Sequence, residues 1–328
     1  MKHIIIGGNG FTGRYLAERL LGDGESVLIC DIERDDSLDI YRGADYLHAD
    51  ITHDEDVARI PIGPDDVVHH MAARQFHLDV PNRDQDGFFQ AVNTEGTARV
   101  LAHMERSACP NLIYYSTDMV YGLPDSVPVP PDHPRRPIGP YGLSKYKSEQ
   151  LCEAQRARGM KITIFRPRLI LGPGRLGVLA KLFRAIEKNL PVPLIGNGAN
   201  QYQMISVFDC VDASMAALAR GIPNGTYNLG SANPPSVHAL LSKLIDSAGS
   251  RSFLLKTPAG LTKLALRTLE GIGLPVLYKE QYTIADVDYL VDIAQTRADL
   301  GWQPAHSDED MMFAAFEEYQ RLARERAG

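Results

Sequence analysis

Short runs of β-branched and apolar residues alternate with longer amphipathic stretches through the first half of the chain. His3–Ile6 reads as a buried strand, and Phe11–Leu21 places Phe11, Tyr15, Leu16 and Leu20 on one helical face. The same reading predicts strands at Ser26–Cys30, Tyr46–Leu47 (weaker), Asp66–His70, Leu112–Tyr115 and Lys161–Phe165. Helices are predicted over Asp54–Ile60, Phe88–Ser107 and Tyr141–Arg158, and Pro/Gly-rich Gly122–Pro140 must be a loop. Strands alternating with helices imply parallel βαβ units, so the fold class is α/β: a Rossmann-type, doubly wound parallel sheet with helices on both faces.

The rhythm changes after Arg166. Gly172–Gly177 and Leu190–Asn200 are rich in Gly and Pro and flank one helix at Leu179–Lys188. Further helices are predicted near Asp209–Arg220, Ser236–Ala248, Gly260–Gly271 and Glu309–Arg324, with few strands. The expectation is a Rossmann domain over 1–170 and a smaller, mainly helical substrate lobe over 171–328. Segments near 201–230 are expected to return to the sheet.

The length of 328 residues can bury a large core, so the fold need not depend on disulfides or metal. With 34 basic and 41 acidic residues the formal charge is −7, which argues against nucleic acid while leaving room for a small anionic ligand. Cys30, Cys109, Cys152 and Cys210 form no C-x-x-C pair and read as reduced thiols with no metal site. The apolar run in MKHIIIGGNG is too short for a signal peptide, and no stretch approaches the ~20 apolar residues of a membrane span. The expectation is a cytoplasmic protein with no membrane partner.

Gly7, Gly10 and Gly13 form G-x-x-G-x-x-G between the first strand and the first helix. Glycines there permit a tight turn and let the backbone approach a pyrophosphate, while the helix N-terminus presents unpaired N–H groups. The second strand ends at Asp31, 18 residues beyond Gly13. A carboxylate there accepts hydrogen bonds from the adenosine ribose and repels a 2′-phosphate, so the cofactor reads as NAD rather than NADP, although Arg34 nearby could soften that repulsion.

Tyr141 and Lys145 open a helix four residues apart, hence on one face. A phenol of pKa about 10 is a poor base until a neighbouring ammonium favours its anion. Ser116-Thr117 follows a strand end, where a hydroxyl can hydrogen-bond a substrate oxygen.

These pieces occur in order with others: GGNGFTG at 7–13, Asp50-Ile51, HHMAA at 69–73, VNTEGT at 92–97, STDMVYG at 116–122, PYGLSK at 140–145, RPRLILGPG at 166–174 and DLGW at 299–302. Together they resemble the extended short-chain dehydrogenases/reductases of the NAD-dependent epimerase/dehydratase family. The resemblance implies that Thr117, Tyr141 and Lys145 are the catalytic group, with Tyr141 as acid/base, Lys145 holding the nicotinamide ribose and lowering the Tyr141 pKa, and Thr117 orienting the reacting oxygen. It also implies that Gly7, Gly10, Phe11, Gly13 and Asp31 bind the cofactor. Asp50 and Ile51 would border the adenine, Met71, Ala72 and Ala73 would line the cofactor channel, Asn93 would face the active site, and Pro167 would lie near the nicotinamide. It further implies a homodimer built on the helices at Phe88–Ser107 and Tyr141–Arg158, and an epimerase acting on a nucleotide-activated sugar through a keto intermediate.

The chain departs from that pattern at the substrate end. Family members that dehydrate sugars carry an acidic pair after the Thr, where this chain has Asp118 and then Met119, which cannot transfer a proton. The Asn after the strand end falls at Leu169, and the two diphosphate-binding arginines fall near Tyr202 and Tyr282. Arg168, Arg175, Arg135 and Arg136 are candidate replacements. RPRLILGPG also resembles 3β-hydroxysteroid-dehydrogenase-like relatives, which oxidise bulky alcohols without a diphosphate. The absence of an apolar membrane-seeking segment speaks against a lipid-scale substrate.

Overall fold

The structure is a computed structural model that describes residues 1–76, 78, 80–175, 177 and 179–327. In chain order the strands are β1 (Lys2–Ile6), β2 (Ser26–Asp31), β3 (Asp45–His48), β4 (Val67–His70), β5 (Asn111–Tyr115), β6 (Lys161–Pro167), β7 (Leu169–Leu171), β8 (Val192–Ile195), β9 (Met204–Ser206), β10 (Thr226–Leu229) and β11 (Leu254–Thr257). The helices are α1 (Phe11–Gly22), α2 (Asp54–Ala58), α3 (Gln85–Gln90), α4 (Thr97–Arg106), α5 (Pro140–Ala157), α6 (Leu179–Glu187), α7 (Val207–Ala219), α8 (Val237–Ser247), α9 (Ala259–Gly271), α10 (Lys279–Thr283), α11 (Ala294–Leu300) and α12 (Asp308–Ala327).

Seven strands form one sheet in the order β10-β6-β5-β4-β1-β2-β3, paired parallel throughout. Both faces are covered, which is why Ile4, Ile5 and Ile6 are all buried and β1 shows no polar alternation. One face packs Val100, Leu101 and Met104 of α4 and Cys152 of α5, and the other packs Leu16, Ala17 and Leu20 of α1 with Val211 of α7. The chain leaves β1 toward β2 and β3, then crosses back to β4. A crevice therefore opens beyond the C-terminal ends of β1 and β4, the place where open α/β sheets bind ligands.

The C-terminal lobe has its own core of Phe183, Leu240, Leu244, Met312 and Phe316. It contains more strand than the sequence pattern suggests: β7 pairs with β9, β8 with β11, and β10 joins the main sheet beside β6. These strands have three or four residues each, too few to show a period. The predicted single helix at Phe88–Ser107 starts earlier, at Gln85, and widens into a π-helical segment at Ala91–Gly96. There the Thr97 and Ser148 hydroxyls both donate to the Asn93 carbonyl, at 2.6 and 2.5 Å, in competition with the helix ladder.

Candidate active site

The glycine loop is built by close approach. Gly7 has φ +82°, and a Cβ there would stand 2.5 Å from the Ala72 amide nitrogen. A Cβ at Gly13 would stand 2.5 Å from the Gly7 carbonyl oxygen. Gly10 precedes α1, whose first turn, starting at Phe11, presents N–H groups that helix geometry leaves without intrahelical partners. Asp31 reaches over this loop and accepts from the Asn9 and Ile32 amides at 2.9 and 2.8 Å, while burial raises its pKa. Arg34 does not approach Asp31's carboxylate to offset it; it pairs with Asp36 at 2.6 Å and stacks on Tyr41 and Tyr46.

Around the crevice, the Met71 and Ala72 amides donate to the Ile6 carbonyl at 2.9 and 2.8 Å, with half-buried Ala73 following. Asp50, after β3, accepts from the Thr52 amide and hydroxyl, and Ile51 packs where a Cβ on Gly96 would be 2.7 Å away. Pro167 closes β6. Asn93 is fully buried and bonded on all sides: it accepts from the Arg74 amide at 2.8 Å and donates to the Arg74 carbonyl and the Ser144 hydroxyl. It joins helix to loop rather than lining an open pocket. The side-chain-free cradle at Gly7 and Gly13, the start of α1 and the carboxylate of Asp31 fit a dinucleotide.

Tyr141 and Lys145 share a face of α5, as their spacing requires. Lys145 Nζ donates to the Tyr115 carbonyl at 2.6 Å and sits 4.3 Å from the centre of the Tyr114 ring. Burial lowers its pKa to about 7. Burial pushes the Tyr141 phenol above its ordinary value, the neighbouring Thr117 hydroxyl acts against this, and the charges of Asp118 and Glu280 push the same way as burial. After Thr117, the Arg175 charge is the other influence that favours the phenolate.

The substrate-end residues are arranged differently from the expectation. Arg168 is buried, ion-paired with Asp118, and sandwiched between the Tyr202 and Tyr289 rings at 4.4 and 4.1 Å. It also donates to the Gln203 carbonyl, so it is committed to the protein interior rather than open to a phosphate. Asp118 is correspondingly occupied, and it also accepts from Thr117 at 3.2 Å. Met119 is half-buried against the core. Arg135 pairs with Glu149 and Glu153, and Arg136 with Asp125. Tyr282 is buried and donates to Glu270 at 3.0 Å. Arg175 is the candidate cation beside Tyr141, with its guanidinium over the Phe11 ring at 5.4 Å.

One residue absent from the sequence reading is Glu280. Its carboxylate accepts from the Tyr141 and Gly142 amides at 2.9 and 3.0 Å, capping the N-terminus of α5 from 139 residues away, and burial raises its pKa to about 7. Phe76 and Tyr278 complete the surroundings: the two rings stack at 4.8 Å, and Phe76 meets Tyr141 edge-on at 5.5 Å.

Residues 3–230 match the profile of the NAD dependent epimerase/dehydratase family, more than half the chain. The protein belongs to that family. It is thus an NAD-dependent enzyme of the extended short-chain dehydrogenase/reductase type. The chain is 30% identical over 319 residues to an uncharacterized protein of Sinorhizobium fredii, covering 97% of this chain and 78% of that protein. It is 25% identical over 342 residues to UDP-glucose 4-epimerase of Streptococcus mutans, covering 96% and 95% of the two chains. The crystal structure of a UDP-glucose 4-epimerase with UDP-glucose from Thermotoga maritima superposes with a TM-score of 0.80 at 25% identity, covering 98% of this chain and all of that one. A UDP-glucuronic acid 4-epimerase from Bacillus cereus, in complex with NAD, gives 0.79 at 21% identity over 98% of this chain and 99% of that one, a likeness of fold.

Proposed function

We propose that this protein is an epimerase acting on a nucleotide-activated sugar, with Tyr141 as its acid/base. The observation that carries the reading is the Tyr141 phenol set beside Thr117, with Lys145 on the same face of α5. Bound NAD supplies reversible hydride acceptance. Tyr141 takes the proton from a sugar hydroxyl and returns it, while Thr117 orients that oxygen through a keto stage in which the sugar turns over. Lys145 would hold the ribose of bound NAD and, together with the charge of an oxidised nicotinamide, would favour the Tyr141 phenolate. Glycines 7, 10 and 13, Phe11, Asp31, Asp50, Ile51, Met71–Ala73 and Pro167 take the cofactor roles, and Asn93 braces the Arg74 loop against Ser144. Asp118, Met119, Arg168 and Tyr202 shape the sugar pocket from below. The named relatives of Streptococcus mutans and Thermotoga maritima support a UDP-sugar substrate. The same reading takes the protein as a cytoplasmic homodimer.

A second reading, a dehydrogenase of a non-nucleotide alcohol in the manner of 3β-hydroxysteroid-dehydrogenase-like enzymes, is favoured by one observation. Arg168, Arg135 and Arg136 are already paired with carboxylates, and the family resemblance puts its diphosphate-contact positions at Leu169 and near Tyr202 and Tyr282. The experiment separates the two. Under the first reading, denatured protein releases tightly held NAD and native protein interconverts UDP-glucose and another UDP-hexose with no net NADH. Protein that holds no nucleotide and reduces added NAD with a free alcohol establishes the second.

A further inference from the structure

Helix α9 turns its apolar stripe outward. Leu261, Leu264, Ala265, Thr268 and Ile272 recur at helical spacing along one line, and all are exposed. Leu261, Leu264 and Ile272 are 68, 60 and 65% exposed, and Leu274 just beyond is 64% exposed. The Thr268 hydroxyl donates to the Leu264 carbonyl at 2.9 Å, which folds its polarity back onto the helix. On the inward face only Leu266 is buried. The sequence pattern alone does not reveal this, since an apolar stripe has the same period whichever way it faces.

Charge distinguishes this face from the rest of the molecule. Residues 251–279 contain five basic residues (Arg251, Lys256, Lys263, Arg267 and Lys279) and one acidic residue, Glu270, for a net of +4 in a chain of −7. Glu270 is engaged by the Tyr282 hydroxyl and the Lys279 amide. Lys263 pairs with Asp286, whereas exposed Arg251, Lys256, Arg267 and Lys279 form no ion pair within 4 Å among the described residues. Lys181 of α6 joins them, donating to the Val276 carbonyl. An exposed apolar stripe bordered by basic residues is the pattern of a helix that lies in a lipid headgroup region. A second copy of the same basic face would meet it with like charge.

We propose that α9 and the segment to Val276 dock this protein on an anionic lipid surface. The docked face continues to the catalytic group: a Cβ on Gly273 would meet Asn82, Tyr278 stacks on Phe76, and Phe76 meets Tyr141. Docking thus sets the mouth of the site at the lipid–water boundary, whichever alcohol reacts there.

The test is flotation of the full-length protein with vesicles of equal parts phosphatidylcholine and phosphatidylglycerol, and with phosphatidylcholine alone. About tenfold more protein is expected to float with the anionic vesicles, falling as salt is raised. The triple variant Leu261→Glu/Leu264→Glu/Ile272→Glu is expected to stay at the bottom while keeping the wild-type melting temperature and NAD content, because all three side chains face water. Wild-type protein that does not float overturns the proposal, and so does a triple variant that floats equally. A dimer in sedimentation that the triple variant breaks, without flotation of the wild type, assigns the face to a second copy and overturns it as well.

Discussion

The Lys145 ammonium donates to the Tyr115 carbonyl at 2.6 Å, fastening helix α5 to the end of β5 one residue before Ser116-Thr117. One contact thereby fixes the distance between the helix that bears Tyr141 and the strand end that bears Thr117. Its cost is a buried lysine whose pKa falls to about 7 from 10.5. Between those two values the unfolded chain binds a proton that the folded chain lacks, so Lys145 makes stability rise with pH across that window. Urea denaturation of Lys145→Met through the same range should show this rise flattened. An unchanged slope would place the proton elsewhere.

Tyr141→Phe keeps the ring in its contacts with Phe76 and Phe89 but removes the hydroxyl. Turnover should fall by about 10²–10⁴-fold, the usual range for losing an acid/base, while the melting temperature changes little. Steady-state assays beside a thermal melt make the comparison. Activity surviving intact would remove Tyr141 from the chemistry.

Gly13→Ala places a Cβ 2.5 Å from the Gly7 carbonyl oxygen, a backbone atom that cannot swing away. A stability loss of about 1–3 kcal/mol is expected from the overpacking, together with loss of NAD binding in calorimetry.

The Arg168–Asp118 pair is buried on both sides. Arg168→Met strands the Asp118 carboxylate and should cost about 3–5 kcal/mol, whereas adding Asp118→Asn should recover much of that loss. A double-mutant cycle by urea denaturation gives the coupling directly.

Glu280 titrates in the opposite sense to Lys145. Its pKa rises to about 7 from 4.5, so the folded chain holds a proton through that range that the unfolded chain has released. Its contribution is present below about pH 4.5 and is lost as pH climbs to about 7. Glu280→Gln leaves the Tyr141 or Gly142 amide facing an amide nitrogen. The variant should be about 1–3 kcal/mol less stable at low pH, with the gap narrowing as pH rises. Chemical denaturation at several pH values reads this out.

Much of the sheet was legible because its signals are local. Three apolar residues in a row at β1, three glycines at fixed spacing and a Tyr–Lys pair one helical turn apart each carry their meaning within a short window. What escaped was set by distant partners. Glu280 reaches α5 across 139 residues, and nothing around it in KEQYT marks it as a cap. Arg168 read as one of four candidate replacements for a phosphate-binding arginine; the Tyr202 and Tyr289 rings that enclose it come from two other segments. The π turn at Ala91–Gly96 depends on a hydroxyl of α5, so the helical period of its own residues gives no warning.

Strand β10 has a consequence for how the chain can be cut. It is the edge of the main sheet, it pairs with β6, and it arrives about 60 residues later in the sequence. A fragment ending after β6 would expose the backbone N–H and C=O groups of Ile164–Pro167 as an open edge lined with buried-type side chains, a template for pairing between copies. The nucleotide-binding half is therefore not a separable module. During synthesis its sheet stays open until Leu229 has left the ribosome, by which time most of the second lobe's first helix and strands are already present.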